Sequence, residues 1–176
     1  YYKDFSTSGY RISDLQYQLD TNEHILVEDK ELSLKKCLRE SDLITLSIGA
    51  NDLIADVNLS TVDINTLQDD EVIAMIDEVD ADLEEIFKNL RKYAKGTIVF
   101  IGYYYPYQEP SLMIERLFSY LNDKFEQTCD KYDIVYINTY YTFKNNPEYL
   151  PNPTNIHPGA AGYQAISDLI VKKLGI

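Results

Sequence analysis

Short apolar runs alternate along the chain with stretches whose apolar residues recur every three or four positions. The runs cover residues 43–48, 97–101 and 134–138. Because they are rich in Ile and Val and lack a polar face, they predict parallel strands that are covered on both sides of a sheet. Residues 1–5 are a candidate for the end of a further strand.

The stretches between these runs have the periodicity of amphipathic helices. Helices are predicted around residues 12–19 and 34–38 and over residues 69–94, 111–131 and 159–174. Strands that alternate with helices form βαβ units, so we predict an α/β fold, a three-layer α/β/α sandwich. Ligands of such folds bind at the carboxyl ends of the strands, and candidate chemical groups are expected there.

The length of 176 residues fits a single domain over residues 1–176. Apolar residues make up 45% of the chain and charged residues 26%, which excludes a disordered, collagen-like or coiled-coil protein. No apolar run reaches the roughly 20 residues of a membrane-spanning helix.

The net charge of −13 disfavours two classes of partner. Nucleic acids and anionic membrane surfaces attract mainly basic proteins, so neither is expected to bind. Cys37 and Cys129 lack the spacing of a metal or redox motif and lie in helical patterns, which predicts two buried thiols. Neither a metal nor a cofactor is expected, and the chain has no glycine-rich phosphate loop.

The predicted strand at residues 43–48 is followed directly by Gly49-Ala50-Asn51-Asp52. The glycine permits a sharp turn, and the Asn51 amide is an uncharged hydrogen-bond donor of the kind that stabilises an oxyanion. The alternative is that Asn51 caps the helix that follows.

Two further segments place polar groups in loops. Gly9, after Ser8, offers a backbone N–H in a turn, with a plain turn glycine as the alternative. His157 lies directly before the last predicted helix, where it either acts as a general base or packs on the helix start. The other histidine, His24, lies in the polar stretch Asn22-Glu23-His24 and is expected at the surface.

The order and spacing of these segments resemble the SGNH hydrolases, also called the GDSL lipase/acylhydrolase family. Ser8-Gly9 with Asp14-Leu15 resembles that family's second sequence block, and residues 46–52 (Leu-Ser-Ile-Gly-Ala-Asn-Asp) resemble its third. Asn155-Ile156-His157-Pro158 with Gly162-Tyr163 resembles its fifth. Gly102-Tyr103-Tyr104-Tyr105-Pro106 is similar to a Gly-x-Tyr-x-Pro segment of a Gram-positive branch of the family.

This resemblance implies a flavodoxin-like parallel sheet and a serine esterase or lipase-type acylhydrolase that cleaves carboxylic esters through an acyl-enzyme. It implies that the Gly9 N–H and the Asn51 side chain form an oxyanion hole and that His157 is the catalytic base. The expected partner is a small-molecule ester, either an acyl ester or an acetylated sugar.

Two features depart from the family. Its nucleophilic serine lies in a Gly-Asp-Ser-Leu turn after the first strand, but this chain contains no Gly-Asp-Ser. We therefore expect the first strand and its serine upstream of residue 1, which makes the given domain N-terminally incomplete. The family's Asp-x-x-His is Thr154-Asn155-Ile156-His157 here, so Thr154 is the candidate to orient His157, without the charge of a carboxylate.

The missing aspartate favours a second reading, a catalytically impaired SGNH-like protein that binds a glycan or an acyl ligand. A nucleotide-binding flavodoxin-like domain is a weaker alternative because the phosphate loop is absent. The oligomeric state is open. Localisation is undecided between secretion or the surface of a Gram-positive-type bacterium and the cytoplasm.

Overall fold

A computed structural model describes residues 2–56, 69–106, 112–152 and 155–176. Helices and strands alternate through these residues. In chain order they are α1 (Ile12–Thr21), β1 (His24–Val27), β2 (Lys30–Ser33), α2 (Leu34–Glu40), β3 (Leu43–Leu46), α3 (Ala50–Asp56), α4 (Asp69–Arg91), β4 (Thr97–Ile101), α5 (Leu112–Lys131), β5 (Ile134–Ile137), α6 (Tyr140–Lys144), a 3₁₀ turn (Pro147–Tyr149) and α7 (Ala160–Leu174).

The central sheet is parallel and has the order β3-β4-β5. Leu43 is in register with Thr97 in the first pair, and Ile98 with Ile134 in the second. The three predicted strands are therefore confirmed, although β3 ends before Ser47 and β5 before Asn138.

Strand β4 runs through the centre of the core. Ile98, Val99 and Phe100 are fully buried, as expected for an apolar strand between two layers of helices. The Phe100 ring lies 5.3 Å from that of Phe87 on α4 and 6.4 Å from that of Phe125 on α5. With helices packed around a parallel sheet, the predicted α/β fold is confirmed.

Two segments differ from the sequence-based expectation. Residues 2–5 form no strand in the described structure; instead the Phe5 carbonyl accepts a hydrogen bond from the Gln18 side chain at 3.1 Å. An extended segment becomes a strand only when a neighbour satisfies its backbone groups. The antiparallel hairpin β1-β2 was not predicted, because its turn at Glu28 and Asp29 has positive φ angles without the glycine that usually marks such a turn.

Two smaller expectations, for the cysteines and for His24, are confirmed. Cys37 and Cys129 are free, buried thiols, and His24 is exposed on β1. None of the described helices is both long enough and apolar enough to cross a membrane.

Candidate functional site

The turn from β3 into α3 is bound tightly to the segment that precedes α1. Gly49 has a φ of +96° and lets the chain reverse directly after the strand. The Asn51 side-chain amide donates a hydrogen bond to the Tyr10 carbonyl at 2.8 Å, and the Asp52 carboxylate accepts one from the Ile12 N–H at 3.2 Å. An amide group has two N–H donors, and the second one of Asn51 has no acceptor among the described residues.

Gly9 lies next to Tyr10 and therefore beside Asn51. Its φ is +82°, and apart from its chain neighbours no described residue comes within 4 Å of the position that a Cβ would occupy. The Gly9 N–H has no acceptor among the described residues. The structure thus brings together two donor groups that the sequence placed in separate segments, and their role as an oxyanion hole stays a prediction.

Asp52 was not assigned a role from the sequence. Its carboxylate satisfies an N–H group at the first turn of α1, where backbone donors lack partners within the helix. Burial raises the pKa of Asp52, and the hydrogen bond from Ile12 opposes that rise. Asp52 therefore fixes α1 against α3. An aspartate three residues after a predicted turn glycine was the available signal, but its partner lies 40 positions away.

His157 lies in an exposed loop before α7. Its backbone N–H bonds to the Asn155 side chain at 3.0 Å, and the Gly159 N–H bonds to the Tyr149 carbonyl at 2.8 Å. The imidazole has no hydrogen-bond partner in the part of the chain that is described. Thr154, the predicted orienting residue, lies outside the described residues.

Two consecutive tyrosines, separated from β4 by Gly102 alone, contact the two loops. The buried Tyr103 hydroxyl donates to the Ile48 carbonyl at 2.6 Å, next to Gly49. The Tyr104 hydroxyl donates to the Ile156 carbonyl at 2.9 Å, next to His157. Burial raises the pKa of Tyr104 to about 12, so its hydroxyl keeps its proton at neutral pH. The Asn51 turn and the His157 loop therefore meet the same end of the parallel sheet.

The family model of the GDSL-like Lipase/Acylhydrolase family matches residues 1–165. The chain belongs to this family. The resemblance seen in the sequence blocks is therefore confirmed, and the family is one of ester-hydrolysing enzymes. A search of curated proteins returned no match.

Solved structures similar to this GDSL-like chain include an acetylxylan esterase from Geobacillus stearothermophilus. The two share 18% sequence identity with a TM-score of 0.64, over 96% of this chain and 69% of the esterase. Catalytic mutants of the same esterase, in which a serine, an aspartate or a histidine is replaced by alanine, match with TM-scores of 0.63 to 0.64 and 16% to 17% identity over the same shares. An alpha/beta hydrolase enzyme from the metagenome of Lake Arreo, Spain, matches with a TM-score of 0.62 and 18% identity, also over 96% and 69%. At these identities the likeness establishes the fold.

A groove of about 500 Å³ runs along β3 in this GDSL-like chain. Residues 2–7 and 43–48 line it, together with apolar side chains of the first helices and α4 that include Leu15, Leu38 and Leu90. Consecutive residues of a strand face opposite sides of a sheet, so a groove that touches all of 43–48 lies along the strand's edge. The edge of β3 opposite β4 pairs with no strand among the described residues.

Proposed function

We propose that the protein hydrolyses carboxylic esters through an acyl-enzyme. The observation that carries the proposal is the meeting of three loops at one end of the parallel sheet, in a chain of the GDSL-like family. These are the Gly9 loop, the oxyanion turn (residues 49–52) and the base loop (residues 155–159). Tyr10 links the first two, and Tyr103 and Tyr104 connect the last two to β4.

Each group has a defined part in the proposed reaction. A serine hydroxyl attacks the ester carbonyl while His157 accepts its proton. The Gly9 N–H and the second N–H of Asn51 bind the oxyanion of the tetrahedral intermediate. The intermediate then expels the alcohol, which takes the proton from His157. Water, deprotonated by His157, attacks the acyl-enzyme and releases the acid and the free serine.

We further propose that the serine is carried by a strand that precedes residue 1 and occupies the groove beside β3. A strand there would bond to the free edge of β3 and cover the apolar residues that line the groove. Residues 2–7 line this groove, so a preceding strand would need only a short connection to reach it. A strand parallel to β3 would end next to Gly49, beside the Gly9 loop and Asn51. A serine at that end would lie beside the proposed oxyanion donors.

An acetylated sugar is the substrate class that we favour. The similar esterase from Geobacillus stearothermophilus is an acetylxylan esterase. Aromatic side chains near the base loop support the choice: Tyr163 is 57% exposed at the start of α7, and Tyr104 is half-buried behind Ile156. Aromatic faces of this kind pack well against a sugar ring.

Labelling of the full-length protein with a fluorophosphonate probe tests the proposal. Intact mass should show one adduct, and peptide mapping should place it on a serine before Tyr1. His157→Ala should abolish the adduct, because the serine then lacks its base, whereas His24→Ala should leave it unchanged, since His24 is exposed on β1. Absence of an adduct on the wild-type protein, or an adduct that survives His157→Ala, would overturn the proposal.

A second candidate function is binding of a glycan or an acyl ligand without turnover. It is favoured by one observation, the threonine at position 154 where a carboxylate would stabilise the charged imidazole. Turnover of p-nitrophenyl acetate separates the two. If the protein only binds its ligand, the wild type should hydrolyse p-nitrophenyl acetate no faster than the His157→Ala variant does.

A further inference from the structure

We infer that Tyr103 and Tyr104 are positioning residues that hold the oxyanion turn and the base loop in fixed relation to each other. The two residues are consecutive in the chain and are separated by Gly102 alone from β4, the central strand of the sheet. One hydroxyl reaches the oxyanion turn and the other reaches the base loop. The inference deepens the proposed function, since it concerns the geometry of that same site.

Tyr103 holds the oxyanion turn from the side of the hydrophobic core. Its ring packs edge-on against Phe125 at 5.6 Å and Phe100 at 6.2 Å, so the ring is held by the core without help from the hydroxyl. The hydroxyl donates to the Ile48 carbonyl at 2.6 Å, immediately before Gly49. A Cβ on Gly49 would overlap this hydroxyl, which shows how closely the turn rests on Tyr103.

Tyr104 anchors the base loop in the same manner. Its ring stacks on buried Phe143 with centroids 4.3 Å apart and an interplanar angle of 16°. The hydroxyl donates to the Ile156 carbonyl at 2.9 Å, immediately before His157. The imidazole itself has no partner among the described residues, and the Asn155 bond of His157 stays within the loop. The Tyr104 bond therefore ties the residue next to the proposed base to a ring that is packed on buried Phe143.

The two tyrosines should affect different steps of ester cleavage. The oxyanion donors act on every ester, so Tyr103→Phe should lower kcat/KM for p-nitrophenyl acetate and ethyl acetate by similar factors, about tenfold or more. Ethoxide leaves only when it is protonated by the base, whereas p-nitrophenolate leaves unaided. Tyr104→Phe should therefore lower kcat/KM for ethyl acetate several-fold more than for p-nitrophenyl acetate. A displacement of about 1 Å can cost roughly a hundredfold in rate.

Tyr136→Phe is the matched control for these variants. Tyr136 is also buried, and its hydroxyl donates a hydrogen bond of 2.7 Å, but the acceptor is Asn122 on α5 and not a site loop. Its loss should reduce stability while leaving the ratio of the two kcat/KM values unchanged.

Hydrogen exchange of the full-length protein tests the anchoring without any need for turnover. Tyr103→Phe should speed exchange at Leu53, whose N–H bonds to the Gly49 carbonyl. Tyr104→Phe should speed exchange at Gly159 and leave Leu53 unchanged. If exchange at these amides is the same in all variants, the inference is wrong.

The kinetic outcomes are equally decisive. The positioning roles would be overturned if Tyr104→Phe lowered kcat/KM equally for both esters. They would also be overturned if Tyr136→Phe changed the ratio of the two kcat/KM values as Tyr104→Phe does. If the wild-type protein cleaves neither ester, the proposed function fails, and exchange alone then decides whether the tyrosines hold the two segments.

Discussion

Replacement of Gly49 by alanine should destabilise the protein, in part because the new methyl group would displace the Tyr103 hydroxyl. The φ of Gly49 is +96°, a conformation that costs an L-residue about 1–2 kcal/mol. The new Cβ would also overlap the Tyr103 hydroxyl, whereas its next neighbours on Ile12 and Val79 lie at an ordinary 3.5 Å. The hydroxyl must therefore move and lose its hydrogen bond to the buried Ile48 carbonyl.

The expected decrease in the free energy of unfolding follows from the backbone strain and the lost hydrogen bond. A buried carbonyl without a partner costs about 1–3 kcal/mol, so Gly49→Ala should cost about 2–5 kcal/mol in total. Tyr103→Phe alone should cost about 1–3 kcal/mol, because it removes the same hydrogen bond. In the double variant that bond is lost once, and the aromatic ring no longer carries the atom that clashes. The two changes should thus be non-additive by about 1–3 kcal/mol.

Urea unfolding at pH 7 of the wild type, both single variants and the double variant measures this coupling. Gly9→Ala is the matched control, since Gly9 also has a positive φ of +82° but has open space at the Cβ position. It should cost only the backbone strain, about 1–2 kcal/mol, and should be additive with Tyr103→Phe. Additivity of Gly49→Ala with Tyr103→Phe within about 0.5 kcal/mol would refute the reasoning, as would an equal coupling for Gly9→Ala.

Two further predictions concern the oxyanion turn and the core. Asn51→Ala should lower kcat/KM by about 10²–10³ with little change in KM, because it removes one oxyanion donor; unchanged far-ultraviolet circular dichroism would show that the loss is not unfolding. Burial raises the pKa of Asp80 despite a hydrogen bond from Thr128, and its Oδ1 has no partner among the described residues. A raised pKa in the folded state means that stability falls as pH rises through it. Asp80→Asn should therefore raise the urea midpoint at pH 7 and have little effect near pH 2.5, which lies well below the ordinary aspartate pKa of about 3.9, so that the folded and unfolded states both hold the proton; a larger gain at the lower pH would contradict this.

Periodicity was sufficient for the elements with a strong local signal. The parallel strands and the helices α4, α5 and α7 were predicted within a few residues, because their apolar faces repeat over many positions. The hairpin β1-β2 was missed, since Glu28 and Asp29 adopt positive φ angles that no local glycine announces. Residues 2–5 read as a strand, yet no described neighbour satisfies their backbone groups as a strand would.

The residues of the candidate site could be identified from the sequence alone. Gly9, Asn51 and His157 follow predicted strands or precede predicted helices, and in an α/β fold those positions converge. Such an inference needs only the order of elements and the chemistry of single side chains.

Which groups hold these residues in place was decided by the folded chain. Tyr103 binds the carbonyl of a residue 55 positions away and Tyr104 one 52 positions away, and Asn51 binds Tyr10 across 41 positions. Sixteen tyrosines occur in the sequence, and the Gly-x-Tyr-x-Pro segment that contains these two does not show which groups their hydroxyls bind. A hydrogen bond depends on distances of a few ångströms between atoms, and only the packing of β4 against its neighbours brings those atoms together.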